Sequence, residues 1–570
     1  MKIERVDDLP LIIAIFEKIG LSKLLNEYFP DHGNWKGLDG GKVLVGFLTY
    51  ILSCADHRLS YVEPWVAGRL HILGHCLSAP DIEPSDFTDD RLGSLLDRIS
   101  DKEHWDAFES TVNQSLIRVH QLPVAGQTIR LDAFIIQSFR EPGDLFKMGY
   151  AKQHRSDLPQ IKAMVATLDP LSMPLAIEVV SGEQADDSLY IPVIDKVDRT
   201  LDQTNLFYVG DTKLGSLENR THIHRKGNKY LMPLSKKQCS DKQLTAYLAQ
   251  KPSTESAAFH QLFKDEMNTN LMAQAFEVEQ TVQSKEGDLT WTERHIVVHS
   301  TAWAAAQKQK LEVRLAKAEQ ALGEILVRKQ GKRVPKTLET LQLKGQQILQ
   351  KYRVNDFIEV KIEQVTCQIP VRAYKDRPAR MEEKTEFTLH FQRHESVIEE
   401  YVAQLGWRVY ATNNSKLQLS VPQAVLCYRQ EYKIEHKFNQ LLNKVTALMP
   451  VFLKKDSRIV ALTRLLLFAL KFVSTTQQQI RKELLSTGQY LKELFPGNPG
   501  RKTNKPTTEM ILSAFKDISL VILPVKDAFQ VKVVKLKPIQ LKILELLGFH
   551  PMLYQDLERI SFFKKNFIET

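Results

Sequence analysis

The feature that most restricts the fold is a carboxylate inside an apolar run. Thr-Ile-Arg-Leu-Asp-Ala-Phe-Ile-Ile (128–136) reads as a buried strand with Asp132 in its middle. A carboxylate there is costly unless it is paired or binds a cation. A second apolar run, Asn-Leu-Phe-Tyr-Val-Gly (205–210), ends directly in Asp211. A third acid, Glu435, lies in Tyr-Arg-Gln-Glu-Tyr-Lys-Ile-Glu-His-Lys-Phe (428–438), whose spacing is helical. Two strand acids and one helix acid, brought together, can hold a pair of divalent ions for phosphoryl transfer.

The pattern around these acids is mixed. Residues 1–122 read as helical, with Leu9, Leu11, Ile12, Ile15, Phe16 and Ile19 on one face and Val43, Leu44, Phe47, Leu48 and Ile51 on another. Gly-Leu-Asp-Gly-Gly (37–41) predicts a break, with a helix from about Lys42. Asp89–Asp97 predicts another helix, its acids at the end the helix dipole favours. Such a module suits DNA binding and, equally well, dimerisation or packing. From 123 to 236 the runs Thr128–Ile136, Ile161–Leu168, Pro174–Val180, Asn205–Val209 and Lys229–Pro233 alternate with one helix, Asp187–Leu201. That order predicts an α/β core with a mixed sheet. Open α/β sheets place their sites beyond strand carboxyl ends, where Asp211 falls.

Residues 237–405 read as an α+β insertion forming a separate subdomain. Leu311, Leu315, Ala318, Leu322 and Ile325 repeat at steps of four, three, four and three, and a second helix follows around Leu338–Leu349. An antiparallel hairpin packed on itself fits this seam, as does an arm reaching a partner or DNA. Leu289–His299, Phe357–Cys367 and Thr385–Phe391 predict strands. The core resumes over 406–495, with a strand at Gly406–Thr412 and a helix from Val421 to Asn443 carrying Glu435. A small α/β C-terminal region fills 496–570.

Charge and cysteine content narrow the partners. With 77 Lys+Arg against 68 Asp+Glu, the formal charge is +9, compatible with a polyanion. Five scattered cysteines, without a Cys-x-x-Cys, fit a reducing compartment rather than a disulfide or zinc framework. The N-terminus lacks the apolar core of a signal peptide. Ile459–Val473 is the most apolar stretch, but Arg464 and Lys471 interrupt it, so a buried helix is expected.

The block Gly-Tyr-Ala-Lys-Gln-His-Arg-Ser-Asp-Leu-Pro-Gln-Ile-Lys (149–162), with Leu-Asp-Pro-Leu-Ser-Met-Pro-Leu-Ala-Ile-Glu-Val-Val-Ser-Gly-Glu-Gln-Ala-Asp-Asp (168–187), resembles the DDE transposases of bacterial insertion sequences, in the branch with a large insertion before the final glutamate. The stretches Leu38–Ile51 and Asp89–Arg98 resemble the helical domain preceding the core in that family. The resemblance implies a ribonuclease-H-like core and a cut-and-paste transposase acting on the ends of its own element. Asp132 and Asp211 match its two aspartates and Glu435 its glutamate, at spacings of 79 and 224 residues. It further implies two Mg²⁺ ions (or Mn²⁺), with Asp132 bridging and Asp211 and Glu435 each completing one site. Hard cations prefer such oxygen ligands. The implied partners are double-stranded DNA, as terminal inverted repeats and target, and a second protomer. The implied location is the bacterial cytoplasm, at the nucleoid.

The glutamate helix departs from the family pattern. Tyr428 matches the phosphate-gripping tyrosine, but Glu431 and Leu442 stand where an arginine and a lysine are expected. Lys433, Lys437 and Lys444 are candidate phosphate contacts or a solvated face. His154 and Arg155 are candidate DNA contacts or surface loop. The departures leave open a catalytically impaired DNA-binding protein of transposase descent, and the 311–325 seam leaves open a non-catalytic oligomeric scaffold. His222 and His224 lack further zinc ligands nearby in sequence. Trp407 and Tyr410 suit core packing or base stacking.

Overall fold

The computed structural model describes residues 1–149, 155, 157–264, 269–327, 335, 337–372, 378, 380–430, 451–525 and 528–559. After a short strand, β1 (Lys2–Arg5), seven helices follow up to Val119. The helix predicted near Lys42 spans Gly40–Cys54 and is capped by Asp39, whose side chain accepts from the Lys42 amide at 3.1 Å. Of the glycines expected to mark the break, Gly37 lies before the helix at a φ of 76°, while Gly40 and Gly41 form the helix's first two residues. A Cβ on Gly41 would stand 2.1 Å from the Ser22 carbonyl oxygen, so the glycine permits close helix approach. Asp89–Arg98 forms as expected, capped by Thr88 with Asp89 and Asp90 in its first turn.

The central sheet has nine strands. Its first part is an antiparallel meander, β2 (Thr128–Gln137), β3 (Gln160–Leu168) and β4 (Met173–Ser181). The helix Tyr190–Leu201 crosses over to β5 (Phe207–Gly210), which pairs parallel with β2. β6 (Lys229–Pro233) pairs parallel with β5. The first five strands thus lie in the order β4-β3-β2-β5-β6.

The sheet does not stop there. β7 (His260–Phe263), β8 (Leu271–Gln283) and β9 (Thr290–Ser300) join it through β12 (Trp407–Thr412), in the order β6-β12-β9-β8-β7. The stretch 237–405 is therefore not one separate body. Its first strands extend the core sheet, because β9 pairs along all of β12. The excursion proper is the helical pair Thr301–Gly323 and Leu338–Tyr352, the ribbon of β10 (Ile358–Val371) and β11 (Arg380–Arg393), and the helix Glu395–Ala403. Leu311, Leu315, Ala318, Leu322 and Ile325 are at most 5% exposed and pack with Leu341, Leu349 and Phe357. The seam is filled from within the chain, as a hairpin packed on itself.

The helix Asp456–Ser486 is the only helix among the described residues long and apolar enough to cross a membrane, and 94% of its apolar window is buried in the protein. It packs on β4 and on Asp89–Arg98, so the N-terminal helices, β2–β4 and the C-terminal region share one core. β13 (Ser519–Val525) pairs with β1 on one side and β14 (Ala528–Val533) on the other, tying the N-terminal strand to the C-terminal region.

One histidine of this core should report on acid stability. Burial, then the Lys18 charge, lowers His120 from its ordinary 6.5 to about 4, against a raising hydrogen bond with Gln479. Between pH 6.5 and 4 the unfolded chain takes up a proton there that the folded chain does not. Stability therefore falls as pH drops through that window, by at most about 1.4 kcal/mol per pH unit before solvent screening reduces it. His120→Gln is expected to flatten this dependence, read as urea midpoints at pH 6.5, 5.5 and 4.5. Parallel slopes for the two proteins would refute the assignment.

Candidate active site

β2 and β5 run parallel in the register Leu131 to Gly210. The next residues are Asp132, still within β2, and Asp211, the first residue past the end of β5, so the two follow neighbouring positions on strands about 4.8 Å apart. The helical crossover Tyr190–Leu201 makes this parallel pairing possible from a segment 79 residues further along the chain. Both acids are half-buried.

The two carboxylates are held differently. Oδ1 of Asp132 accepts from the Ala133 amide at 2.7 Å. Oδ1 of Asp211 accepts twice, from the Tyr190 hydroxyl at 2.6 Å and the Lys213 amide at 2.8 Å. Among the described residues, Asp211 Oδ2 accepts no hydrogen bond. Tyr190 is 1% exposed. Burial raises its hydroxyl well above the ordinary tyrosine value, and the charge and hydrogen bond of Asp211, then the charges of Asp132 and Asp186, push it further. It is thus a fixed donor at neutral pH. Asp186 is answered by Lys162 at 2.6 Å, and Asp187 lies 3.4 Å from Lys213.

Sequence reasoning passed over Tyr190. The signal was present. It falls on the apolar face of its helix with Val193, Ile194 and Val197, where a phenol needs a polar partner. The glycines of the 149–187 block also gain a reason. A Cβ on Gly149 would meet the Gly182 carbonyl at 2.4 Å, and one on Gly182 the Gln160 carbonyl at 2.1 Å. Backbones pass too closely there for any side chain.

Arg130, two residues before Asp132, links the strand to the helix Val421–Arg429. It is 2% exposed, donates from Nε to Asp169 at 2.8 Å and from Nη2 to the Cys427 carbonyl at 3.0 Å. Tyr428 on that helix is 9% exposed, its ring 4.7 Å from that of Tyr410. Glu431, Lys433, Glu435, Lys437, Leu442 and Lys444 lie outside the described residues, as does His154. Arg155 is on the surface, bonded to both oxygens of Asp157 at 2.9 and 2.8 Å and 5.7 Å from the exposed Phe139 ring. The other singled-out residues have local partners. His222 contacts Asp195 at 2.8 Å, His224 stacks on Trp291, and Trp407 packs on His299 and Phe276.

Two adjacent carboxylates, one with an oxygen free of hydrogen bonds among the described residues, are a donor set that suits a hard divalent cation. Among the described residues no group of three His, Cys, Asp or Glu side chains completes a metal cluster. The residues able to take part are Asp132 and Asp211.

Fold and site thus define a mixed α/β protein with one acid on β2 and another just past the end of the parallel strand β5. The chain matches the family described as Transposase DDE domain over residues 125–471, more than half its length, and it belongs to that family. DDE transposases generally use divalent metal ions. Residues 1–112 match a family described as Domain of unknown function (DUF4277). No curated protein matches the chain. Among solved structures it is similar to a piggyBac transposase synaptic complex with hairpin DNA, at 14% identity and a TM-score of 0.24; the match covers 50% of this chain and 59% of that one.

Proposed function

We propose that the protein is a cut-and-paste transposase that hydrolyses phosphodiesters at the ends of its own bacterial insertion sequence and joins the freed 3′ ends to target DNA. The observation that carries this reading is the adjacency of Asp132, on β2, and Asp211, just past the end of the parallel strand β5. The order β4-β3-β2-β5-β6, three antiparallel strands followed by two parallel to β2, supports a ribonuclease-H-like core.

The residues divide the work. Asp132 and Asp211, with Glu435, would hold Mg²⁺ or Mn²⁺, which when bound would supply charge stabilisation to the reacting oxygens. Tyr190 and the Lys213 amide orient Asp211. Arg130 anchors the helix Val421–Arg429 against the strand of Asp132. Arg155, His154, Tyr428, Lys433, Lys437 and Lys444 are assigned to DNA phosphates, and the +9 charge suits that polyanion. Two protomers hold the two element ends, at the nucleoid of the bacterial cytoplasm.

The test is a supercoiled plasmid carrying the gene with its native flanks, incubated with the protein in Mg²⁺, Mn²⁺ or chelator. Metal-dependent release of the element, with DNA affinity falling steeply as salt rises, is expected. Salt-sensitive binding without cleavage in either metal would favour the impaired DNA-binding protein suggested by Glu431 and Leu442. Binding indifferent to salt would favour the scaffold, although the 311–325 seam is already covered from within the chain.

A further inference from the structure

We infer that Tyr190 is a positioning residue that makes Asp211 a one-oxygen ligand, and so sets which divalent ion the site prefers. This rests on the reading of Asp211 as a metal ligand. The two oxygens of the Asp211 carboxylate differ in their surroundings. Oδ1 is occupied by two donors on opposite sides of it in sequence, the Tyr190 hydroxyl at 2.6 Å and the Lys213 amide at 2.8 Å. An oxygen accepting two such bonds has little lone-pair capacity left for a cation. Oδ2 accepts nothing from the described residues, so it is the atom presented to the site.

The donor is held firmly. Tyr190 is 1% exposed, rooted among Val193, Ile194 and Val197 on the inner face of its helix. The helix packs on β3 and β4, so the hydroxyl cannot swing away without disturbing the sheet. The Lys213 amide is fixed by the turn after β5.

Monodentate and bidentate carboxylates suit different ions. Mg²⁺ demands near-ideal octahedral geometry, which the narrow bite of a bidentate carboxylate strains. Ca²⁺ is larger, takes six to eight oxygens and accepts bidentate carboxylates readily. By occupying Oδ1, Tyr190 biases the site toward the smaller ion. Partners that orient metal ligands typically change affinity by about 10–100-fold when removed.

The experiment titrates the full chain with Mg²⁺ alone and Ca²⁺ alone by calorimetry, comparing wild type, Tyr190→Phe and Asp211→Asn. Tyr190→Phe keeps the ring and its packing and deletes only the donor. It is expected to weaken Mg²⁺ binding about tenfold while Ca²⁺ binding holds or tightens, so that the Mg²⁺-over-Ca²⁺ preference drops about tenfold or more. A purely structural role would move both ions in parallel. Parallel weakening, or an unchanged preference, overturns the inference. If Asp211→Asn loses Mg²⁺ while Tyr190→Phe keeps the wild-type preference, only the role of Tyr190 fails. If Asp211→Asn binds like wild type, the ligand reading fails and this inference with it. Should Tyr190→Phe melt below the assay temperature, Lys213→Pro removes the other donor to Oδ1 from an exposed turn and is expected to shift the preference in the same direction.

Discussion

Asp132→Ala is expected to slow strand cleavage by about 10³-fold or more while leaving DNA affinity and the thermal midpoint close to wild type. The size follows from the chemistry. A metal-held site supplies several kcal/mol of charge stabilisation to the reacting oxygens, and about 4 kcal/mol corresponds to roughly three decades in rate. The neutral effect on stability follows from the geometry. Asp132 stands beside Asp211, just past the end of the next strand, and like charges at neighbouring positions repel until a cation separates them. Removing one in metal-free protein relieves that repulsion, which offsets the loss of the hydrogen bond from the Ala133 amide. Single-turnover nicking of labelled end-sequence duplexes, gel-shift affinity and differential scanning fluorimetry measure the three quantities. Cleavage by Asp132→Ala within tenfold of wild type would remove this acid from the site.

The strand acids were legible because burial leaves a mark in sequence. A carboxylate flanked by Ile129, Leu131, Phe134 and Ile136, all at most 5% exposed, is conspicuous against its own neighbours. Their pairing was not written locally. It depends on β5 landing parallel to β2 after the helix Tyr190–Leu201, a choice made by packing across the sheet. The same limit explains the departures. Gly40 and Gly41 resemble a break because Ser22, whose carbonyl excludes any larger side chain, belongs to another helix. β8 and β9 read as part of an insertion because their link to the core, β12, arrives only after the helical hairpin and ribbon. The seam at Leu311–Ile325 shows the reverse. Its heptad spacing announces a helical partner, and only the fold identifies that partner as the next helix of the same chain.

Glu109→Ala is expected to cost about 3–5 kcal/mol, because it strands a charge inside the molecule. Lys471, on the long helix Asp456–Ser486, is 0% exposed. Its ammonium donates to Glu109 Oε1 at 2.7 Å, to Asn113 Oδ1 at 2.8 Å and to the Leu175 carbonyl at 3.4 Å. These three partners belong to the helix Lys102–Val119 and to β4, so one lysine joins the N-terminal helices, the sheet and the long helix. Burial lowers the Lys471 value below the ordinary 10.5, and Glu109 is what opposes that fall. Without Glu109 the folded protein holds its proton more weakly still, while the unfolded chain keeps the ordinary affinity. The unfolded state then binds more protons across the alkaline range below 10.5, and stability rises with pH. The variant should therefore be most damaged near neutrality and recover part of its deficit toward pH 10, more steeply than wild type. Replacing both partners, Glu109→Leu with Lys471→Met, removes the stranded charge and is expected to recover most of the loss, since an apolar pair of similar volume is often neutral or better. Chemical denaturation at pH 7 and pH 9.5 on the three proteins decides it. A Glu109→Ala loss under about 1 kcal/mol, or a double variant no better than the single, would show that Lys471 is stabilised by Asn113 and the Leu175 carbonyl without its carboxylate.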